Sequence, residues 1–273
     1  MHNPKLNNLT ILIVTYKSHE VIFKTLSKLN KVKNIKILDN SNDNILKEKV
    51  KKKYKNVSFY LSKKNLGYGA GNNFLLKKVK TKYALILNPD CFINTKYLIE
   101  TLDFANLSKN FAIIGSAIEA KIMSSKYKIS KYFFYKCDYV KGFYMFIDTK
   151  KIRKIGNFDT NFFLYLEEID LCKRAKKAGY NVIALKNIKL NHLSGKASND
   201  RLEFNKIRNW HWMWSQFYFT KKYKGYLFSF FKFFPDLILL FVKSLIKKNH
   251  YKYRNRFLGL FYSMINKKSF YRG

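Results

Sequence analysis

Of the 17 acidic residues in the chain, four (Asp159, Glu167, Glu168 and Asp170) fall within one short stretch, FDTNFFLYLEEIDLCKR. On a helix, Glu167, Asp170 and Arg174 share a face, and Asp170 with Arg174 makes an i,i+4 ion pair. Glu168 lies about 100° round the helix from Glu167 and stands outside that pairing. Apolar neighbours would push its carboxyl upward, into the range a general base needs. The plainer alternative is a solvated helix start, where acids complement the helix dipole.

Three further points could carry chemistry, each just past an apolar, strand-like run. Asp39 ends NIKILD and can accept hydrogen bonds from a base or ribose, or simply form a turn. Gly67 to Gly71, in NLGYGAGNN, permit close backbone approach ahead of a helix whose N–H groups favour phosphate. Asp90 follows KYALILNP, where a carboxylate could share a Mg2+ or Mn2+ ion with a bound diphosphate; the alternative is a cap or turn. His192 follows an alternating segment and precedes Leu193-Ser194-Gly195. His19-Glu20 is no zinc-protease signature, because Phe23 stands at the fifth position. The first strand lacks GxGxxG, so a dinucleotide site is not indicated.

These residues need a scaffold that gathers strand ends. Leu9–Thr15, Asn34–Asp39, Asn56–Leu61 and Lys82–Leu87 read as buried strands. Helical patterns fall between them: one capped by Ser18 and running to about Asn30, then about 44–54 and 70–80. The alternation predicts a doubly wound parallel sheet, whose ligands bind beyond the carboxyl ends of its strands. From about 111 the pattern changes to a mixed sheet, with strands at 111–118, 139–147, 181–185 and 188–192 and a helix at 167–179. After about Asp200 the composition shifts again: residues 201–273 hold 16 Lys+Arg, 2 acids and all three tryptophans.

Length and charge bound the rest. At 273 residues with 47% hydrophobic content the chain is globular. Its 54 Lys+Arg against 17 Asp+Glu give a net charge of +37, which suits an anionic partner or a solvated lysine-rich surface. No zinc finger, RNP1 or GXXG pattern is present, so specific nucleic-acid binding is not expected. Cys91, Cys137 and Cys172 are far apart, which fits a reducing compartment rather than a disulfide framework. No secretory signal is apparent at the N-terminus. Lys232, Asp236 and Lys243 interrupt the most apolar stretch, so a spanning helix is not expected.

Taken in order, ILIVTYKS, ILDNSNDN, NLGYGAGNN, ALILNPD, Lys141-Gly142, the acidic segment and NHLSGKAS resemble the inverting glycosyltransferases of family 2. The nearest subset is the rhamnosyltransferase-like enzymes of bacterial cell-surface polysaccharide synthesis. The resemblance covers about residues 9–198. It implies a GT-A fold, an α/β Rossmann-like mixed sheet flanked by helices, over residues 1–200. About 1–110 would form the nucleotide-sugar half and about 111–200 the acceptor half, with a basic, aromatic helical extension at 201–273. It also implies a nucleotide-diphosphate sugar donor, with dTDP-L-rhamnose the best guess, a glycan or lipid-linked acceptor, and Mg2+ or Mn2+.

By position, the resemblance puts Thr15, Tyr16, Asp39, Asn65, Gly67, Asn72, Asn88 and Asp90 around the donor. Asp90 and His192 would be metal ligands, although NPD replaces the family's DxD. Glu167 to Asp170 match the acidic helix start, with Glu168 or Glu167 as base. The alternatives are a basic nucleic-acid- or membrane-binding protein and a degenerate glycosyltransferase subunit. The extension's interleaved aromatics and lysines suit an anionic membrane surface, with the protein cytoplasmic and peripheral on the inner face of the cell membrane. Packing of those helices on the catalytic domain or on a second subunit is the competing expectation.

Overall fold

The computed structural model describes residues 3–192, 201–246 and 250–270. In chain order the elements are β1 (Leu9–Thr15), α1 (His19–Lys28), β2 (Asn34–Asp39), α2 (Asn44–Lys53), β3 (Val57–Leu61), α3 (Tyr68–Leu76), β4 (Tyr83–Leu87), β5 (Cys91–Ile93) and α4 (Thr95–Leu107). They continue with β6 (Phe111–Ser116), β7 (Lys121–Ile122), β8 (Tyr127–Ile129), β9 (Tyr132–Tyr139), β10 (Tyr144–Asp148), α5 (Thr149–Lys154), α6 (Glu167–Lys177), β11 (Asn181–Leu185) and β12 (Leu190–His192). Three helices close the chain: α7 (Arg201–Lys224), α8 (Tyr226–Ile246) and α9 (His250–Met264).

The strands form a mixed sheet in the order β3-β2-β1-β4-β10-β6-β11-β9-β7, with β8 on β9. The first four are mutually parallel, and β10 runs antiparallel to both β4 and β6. Continuous apolar runs explain this centre: β1 and β4 are buried on both faces, as strands covered by helices must be. One face packs Ile11, Ile13, Leu85 and Phe146 with Ile22 and Leu26 of α1 and Leu98 of α4. The other packs Leu12, Ile86 and Met145 with Leu75 of α3 and Leu171, Cys172 and Ala175 of α6. A two-stranded pairing of β12 with β5 lies apart from the main sheet.

The structure corrects several boundaries. The expected strand 139–147 takes in only the last residue of β9, then the turn that contains Gly142, then β10. The run 111–118 stops at Ser116, and α4, β5, β7, β8 and the body of β9 were not anticipated. Ser18 does precede α1, but its hydroxyl donates to the Tyr16 carbonyl at 3.0 Å instead of capping the helix. The helix expected from about 70 begins at Tyr68, so Gly69 joins Gly71 inside α3, and both are buried. At Gly71 a Cβ would meet Val14 Cγ1 at 2.9 Å, so that glycine serves helix-on-strand packing and not a phosphate cradle. Gly67 alone has the turn conformation, with φ +78°.

The chain divides into two compact units, Met1–Phe158 with Glu168–Ser198, and Asp159–Glu167 with Asn199–Gly273. In the second, α7, α8 and α9 pack together around Met213, Phe217, Phe233, Leu240, Leu260 and Met264. Trp210 and Trp214 are buried there, and the Trp214 indole donates to the Lys267 carbonyl at 3.0 Å. The sequence placed these rings at a membrane interface; the fold uses them as core. At Gly259 of α9 a Cβ would run into the Trp210 carbonyl of α7. Gly259→Ala should therefore destabilise this unit by about 2 kcal/mol, the usual cost of overpacking, measured as faster hydrogen exchange across α7 and α9.

Candidate active site

Parallel pairing brings the strand ends to one edge. Thr15 and Asp39 are register partners, and the Asn40 N–H donates to the Thr15 carbonyl at 2.8 Å. Asp39 is fully buried: its Oδ1 accepts from the Ser41 hydroxyl at 2.7 Å and its Oδ2 from the Asp43 N–H at 2.8 Å. Both carboxylate oxygens thus hold the turn that follows β2. Ser41 in turn accepts from the Lys17 N–H at 3.2 Å, which ties that turn to the one after β1. Tyr16, in between, is half-buried.

Asn40, which the sequence did not single out, positions the next turn. Its side chain donates to the Gly67 carbonyl at 3.2 Å and accepts from the Leu66 N–H at 3.3 Å. Asn65 Oδ1 accepts from the Gly67 N–H at 2.9 Å, an Asx turn that delivers the chain into α3. Among the described residues, the Thr15 hydroxyl and Asn72 Oδ1 are buried without a hydrogen-bond partner. Such orphans are rare and mark positions where a ligand can complete the bonding.

The fourth strand ends in the same place. The Asn88 N–H donates to the Phe143 carbonyl and the Cys91 N–H to the Asn88 carbonyl, both at 3.1 Å, and Thr25 donates to the Pro89 carbonyl. Asp90 is buried inside this turn. The pairing of β12 with β5 sets His192 opposite Cys91, one residue from Asp90. The rest of the NHLSGKAS motif, from 193 onward, lies outside the described residues. Burial, with the Asp90 charge beside it, pushes the Cys91 thiol up to about 12.

Two ties bring the acidic helix toward this edge. Asn73 of α3 both donates to the Phe158 carbonyl at 2.8 Å and accepts from the Phe158 N–H at 3.0 Å. In α6, Cys172 packs beneath β9 and bonds the backbone of Val140, at the start of the turn that leads to Phe143. Asp170 is fully buried and takes the Arg174 guanidinium at 2.7 Å. Arg174 also donates to the carbonyls of Ile155 at 2.7 Å and Asn157 at 2.5 Å. Asp170 is thus committed to an ion pair that fixes the α5–α6 loop. Glu167 is buried, whereas Glu168 is half-exposed.

Immediately before α6, Tyr165 and Leu166 both have positive φ, 72° and 69°. Consecutive non-glycine residues in this region cost about 1–3 kcal/mol each and persist only where surroundings enforce them. Here α7 supplies the enforcement. The Ser215 hydroxyl donates to the Leu164 carbonyl at 2.8 Å, Arg208 donates to the Tyr165 hydroxyl at 2.5 Å, and Tyr218 meets the Phe162 ring edge-on at 4.8 Å. Asp159 is gripped by Lys222 at 2.7 Å and the Tyr218 hydroxyl at 3.0 Å. No pattern in the sequence showed that the aromatic helix holds the segment leading to the acids.

Against this geometry stands a match to the model of glycosyl transferase family 2 over residues 10–172, more than half of the chain. The chain belongs to glycosyl transferase family 2. It is 28% identical over 200 residues to the low-salt glycan biosynthesis hexosyltransferase Agl10 of Haloferax volcanii, covering 65% of this chain and 64% of that protein. To the rhamnosyltransferase WbbL of Escherichia coli K12 it is 27% identical over 237 residues, covering 74% and 88%. Among solved structures, the mannosyltransferase PcManGT of Pyrobaculum calidifontis, in complex with GDP-Man and Mn2+, matches with a TM-score of 0.59 at 9% identity, over 95% of this chain and 86% of that one. GalNAc-T7 with UDP, GalNAc and Mn2+ also gives 0.59, at 13% identity, over 70% and 44%. The family 2 chain therefore has the GT-A fold.

Two consequences can be measured. Removing Arg174 takes the ion-pair partner from a buried carboxylate, so Arg174→Ala should cost about 3–5 kcal/mol in denaturant unfolding; the pair replacement Asp170→Leu with Arg174→Met should recover most of it. Burial pushes the Asp159 carboxyl up, but the Lys222 hydrogen bond and charge more than offset this and hold it below the ordinary value. A depressed folded value stabilises above the unfolded pKa, near 3.8, and that stabilisation disappears as pH falls through the folded one. Wild type should thus be more stable than Lys222→Met at pH 6, with the gap closing toward pH 2.

Proposed function

We propose that this family 2 glycosyltransferase is an inverting enzyme moving a sugar from a nucleotide-diphosphate donor to a hydroxyl of a glycan or lipid-linked acceptor in cell-surface polysaccharide synthesis. The observation that carries the reading is the strand-end edge itself. Thr15 and Asn72 are buried there with an oxygen atom each that lacks a hydrogen-bond partner, Asp90 is buried in the turn after β4, and Glu168 stands half-exposed at the start of α6. The name of the relative WbbL, a rhamnosyltransferase, supports rhamnose as the transferred sugar, and dTDP-L-rhamnose is the donor that the family resemblance suggests.

In this reading Thr15, Tyr16, Asn65, Gly67, Asn72 and Asn88 cradle the nucleoside and diphosphate. Asp39 contributes by shaping the pocket wall, since both its oxygens are already engaged. Glu168, partly open to solvent, accepts the proton of the acceptor hydroxyl, and the freed oxygen attacks the anomeric carbon opposite the leaving diphosphate. Asp170 acts through Arg174 to fix the helix, and Glu167 is the second candidate base.

In this reading Asp90 would supply a hard carboxylate to a divalent cation shared with the diphosphate, and His192, whose backbone pairs with Cys91 next to Asp90, is the second candidate ligand. Among the described residues no three His, Cys, Asp or Glu gather into a full ligand set, so substrate oxygens and water would complete the shell. Mn2+ in the two solved structures supports that choice. Such an ion, when bound, supplies charge stabilisation to the departing diphosphate.

Glu168→Gln should lower turnover by about 10²–10⁴-fold with donor affinity retained, the usual contribution of a positioned base. Glu167→Gln assayed beside it identifies the base, and unchanged turnover in both would reject the assignment. A thermal-shift panel of nucleotide sugars with and without Mn2+ should give its largest shift for dTDP-rhamnose plus Mn2+, and Asp90→Asn should abolish the metal-dependent part. A chain that binds donor yet transfers nothing would be a degenerate subunit instead.

A further inference from the structure

The three C-terminal helices treat their apolar residues differently. Helix α7 turns Trp210, Trp214 and Phe217 inward, and α9 buries Leu260 and Met264. Helix α8 buries only Ser229, Phe233 and Leu240. Phe230 and Leu237 are half-buried, and most of its other large side chains are open: Leu227 is 71% exposed, Phe231 72%, Leu245 69% and Ile246 71%, with Phe234, Ile238, Phe241 and Val242 exposed among them. At 100° per residue, Leu227, Phe231, Phe234, Ile238, Phe241, Val242 and Leu245 fall in one arc about 100° wide, and Phe228, Leu239 and Ile246 extend it on one side. No charged residue interrupts that arc. Lys232, Asp236 and Lys243 all lie beyond its extended edge, about 140–180° from Leu227, next to the buried stripe.

A continuous apolar face of six turns is too large to be ordinary protein surface. It does not span a bilayer either: no helix among the described residues is long and apolar enough to cross one. The charge around it identifies the occupant. Residues 201–273 carry 16 Lys+Arg and 2 acids. A second copy of the chain would bring like charge against like charge, whereas an anionic lipid surface attracts the basic residues, which outnumber the acids. A helix with one apolar arc and basic residues at its margin is built to lie in the plane of the headgroups.

We infer that α8 docks in-plane on an anionic phospholipid bilayer, with Leu227, Phe231, Phe234, Ile238, Val242 and Leu245 entering the acyl boundary and Lys232 and Lys243 at the headgroups. The inference goes beyond the sugar-transfer reading and stands without it. It also narrows the membrane contact expected of the whole 201–273 extension to one face of α8.

The full chain is sedimented with vesicles of phosphatidylglycerol and phosphatidylcholine (3:7), and with phosphatidylcholine alone, at 0.1 M and 0.5 M NaCl. Partitioning onto the anionic vesicles should exceed that onto neutral ones at least tenfold at 0.1 M salt and fall at 0.5 M. Phe231→Glu with Leu245→Glu should cut it at least tenfold. Both positions are exposed, so the circular dichroism spectrum and melting should not change. Lys232→Glu with Lys243→Glu should reduce only the salt-sensitive part. Equal partitioning of wild type and Phe231→Glu/Leu245→Glu would overturn the inference, as would no preference for anionic vesicles. A lipid-free dimer, dissociated by the same pair in analytical ultracentrifugation, would assign the face to a second copy and overturn it equally.

Discussion

The turn from Val140 to Phe143 receives hydrogen bonds from two directions. Tyr68, opening α3, donates to the Gly142 carbonyl at 2.5 Å, and the Asn88 N–H donates to the Phe143 carbonyl at 3.1 Å. Cys172 of the acidic helix bonds the Val140 backbone from below. One turn therefore couples the glycine-containing loop, the Asn88-Pro89-Asp90 turn and α6. A side chain at position 142 would crowd the Tyr68 ring, with a Cβ 3.3 Å from its hydroxyl.

Burial also sorts the acids by task. Asp39 and Asp170 are fully buried, and their oxygens are bound to the turn after β2 and to Arg174. Burying a carboxylate without partners is expensive, so these two are structural anchors before they are anything else. Glu168 is the acid of the cluster left half-open on the first unit, which is why the proposed proton transfer falls to it. The thiols follow the same rule in reverse: burial pushes Cys91 and Cys172 to about 12 and Cys137 to about 11, so they behave as small apolar groups.

The second unit shows how one composition serves two ends. In α7 the rings of Trp212 and Tyr218, with Arg208 and Ser215, hold the segment with two left-handed residues ahead of α6, and many aromatics in α8 remain on the outside. A count of rings and lysines cannot separate these roles. Only the helical phase relative to the packed neighbours does, and that phase is a property of the assembled bundle.

The sequence by itself determined the parallel core, the order of its strands' polar ends and the Asp170–Arg174 pair. Apolar runs, turn residues and i,i+4 spacing are local signals, and local signals survive without tertiary context. It did not determine that Gly71 would pack against Val14, that 139–147 would break at Gly142, or that Asn40 would hold the Gly67 turn. Each depends on a partner far away in the chain: Val14 against Gly71, Tyr68 on Gly142, Leu66 and Gly67 on Asn40. Close packing and long-range hydrogen bonds made those choices, since a buried backbone group takes whichever partner the fold brings within reach.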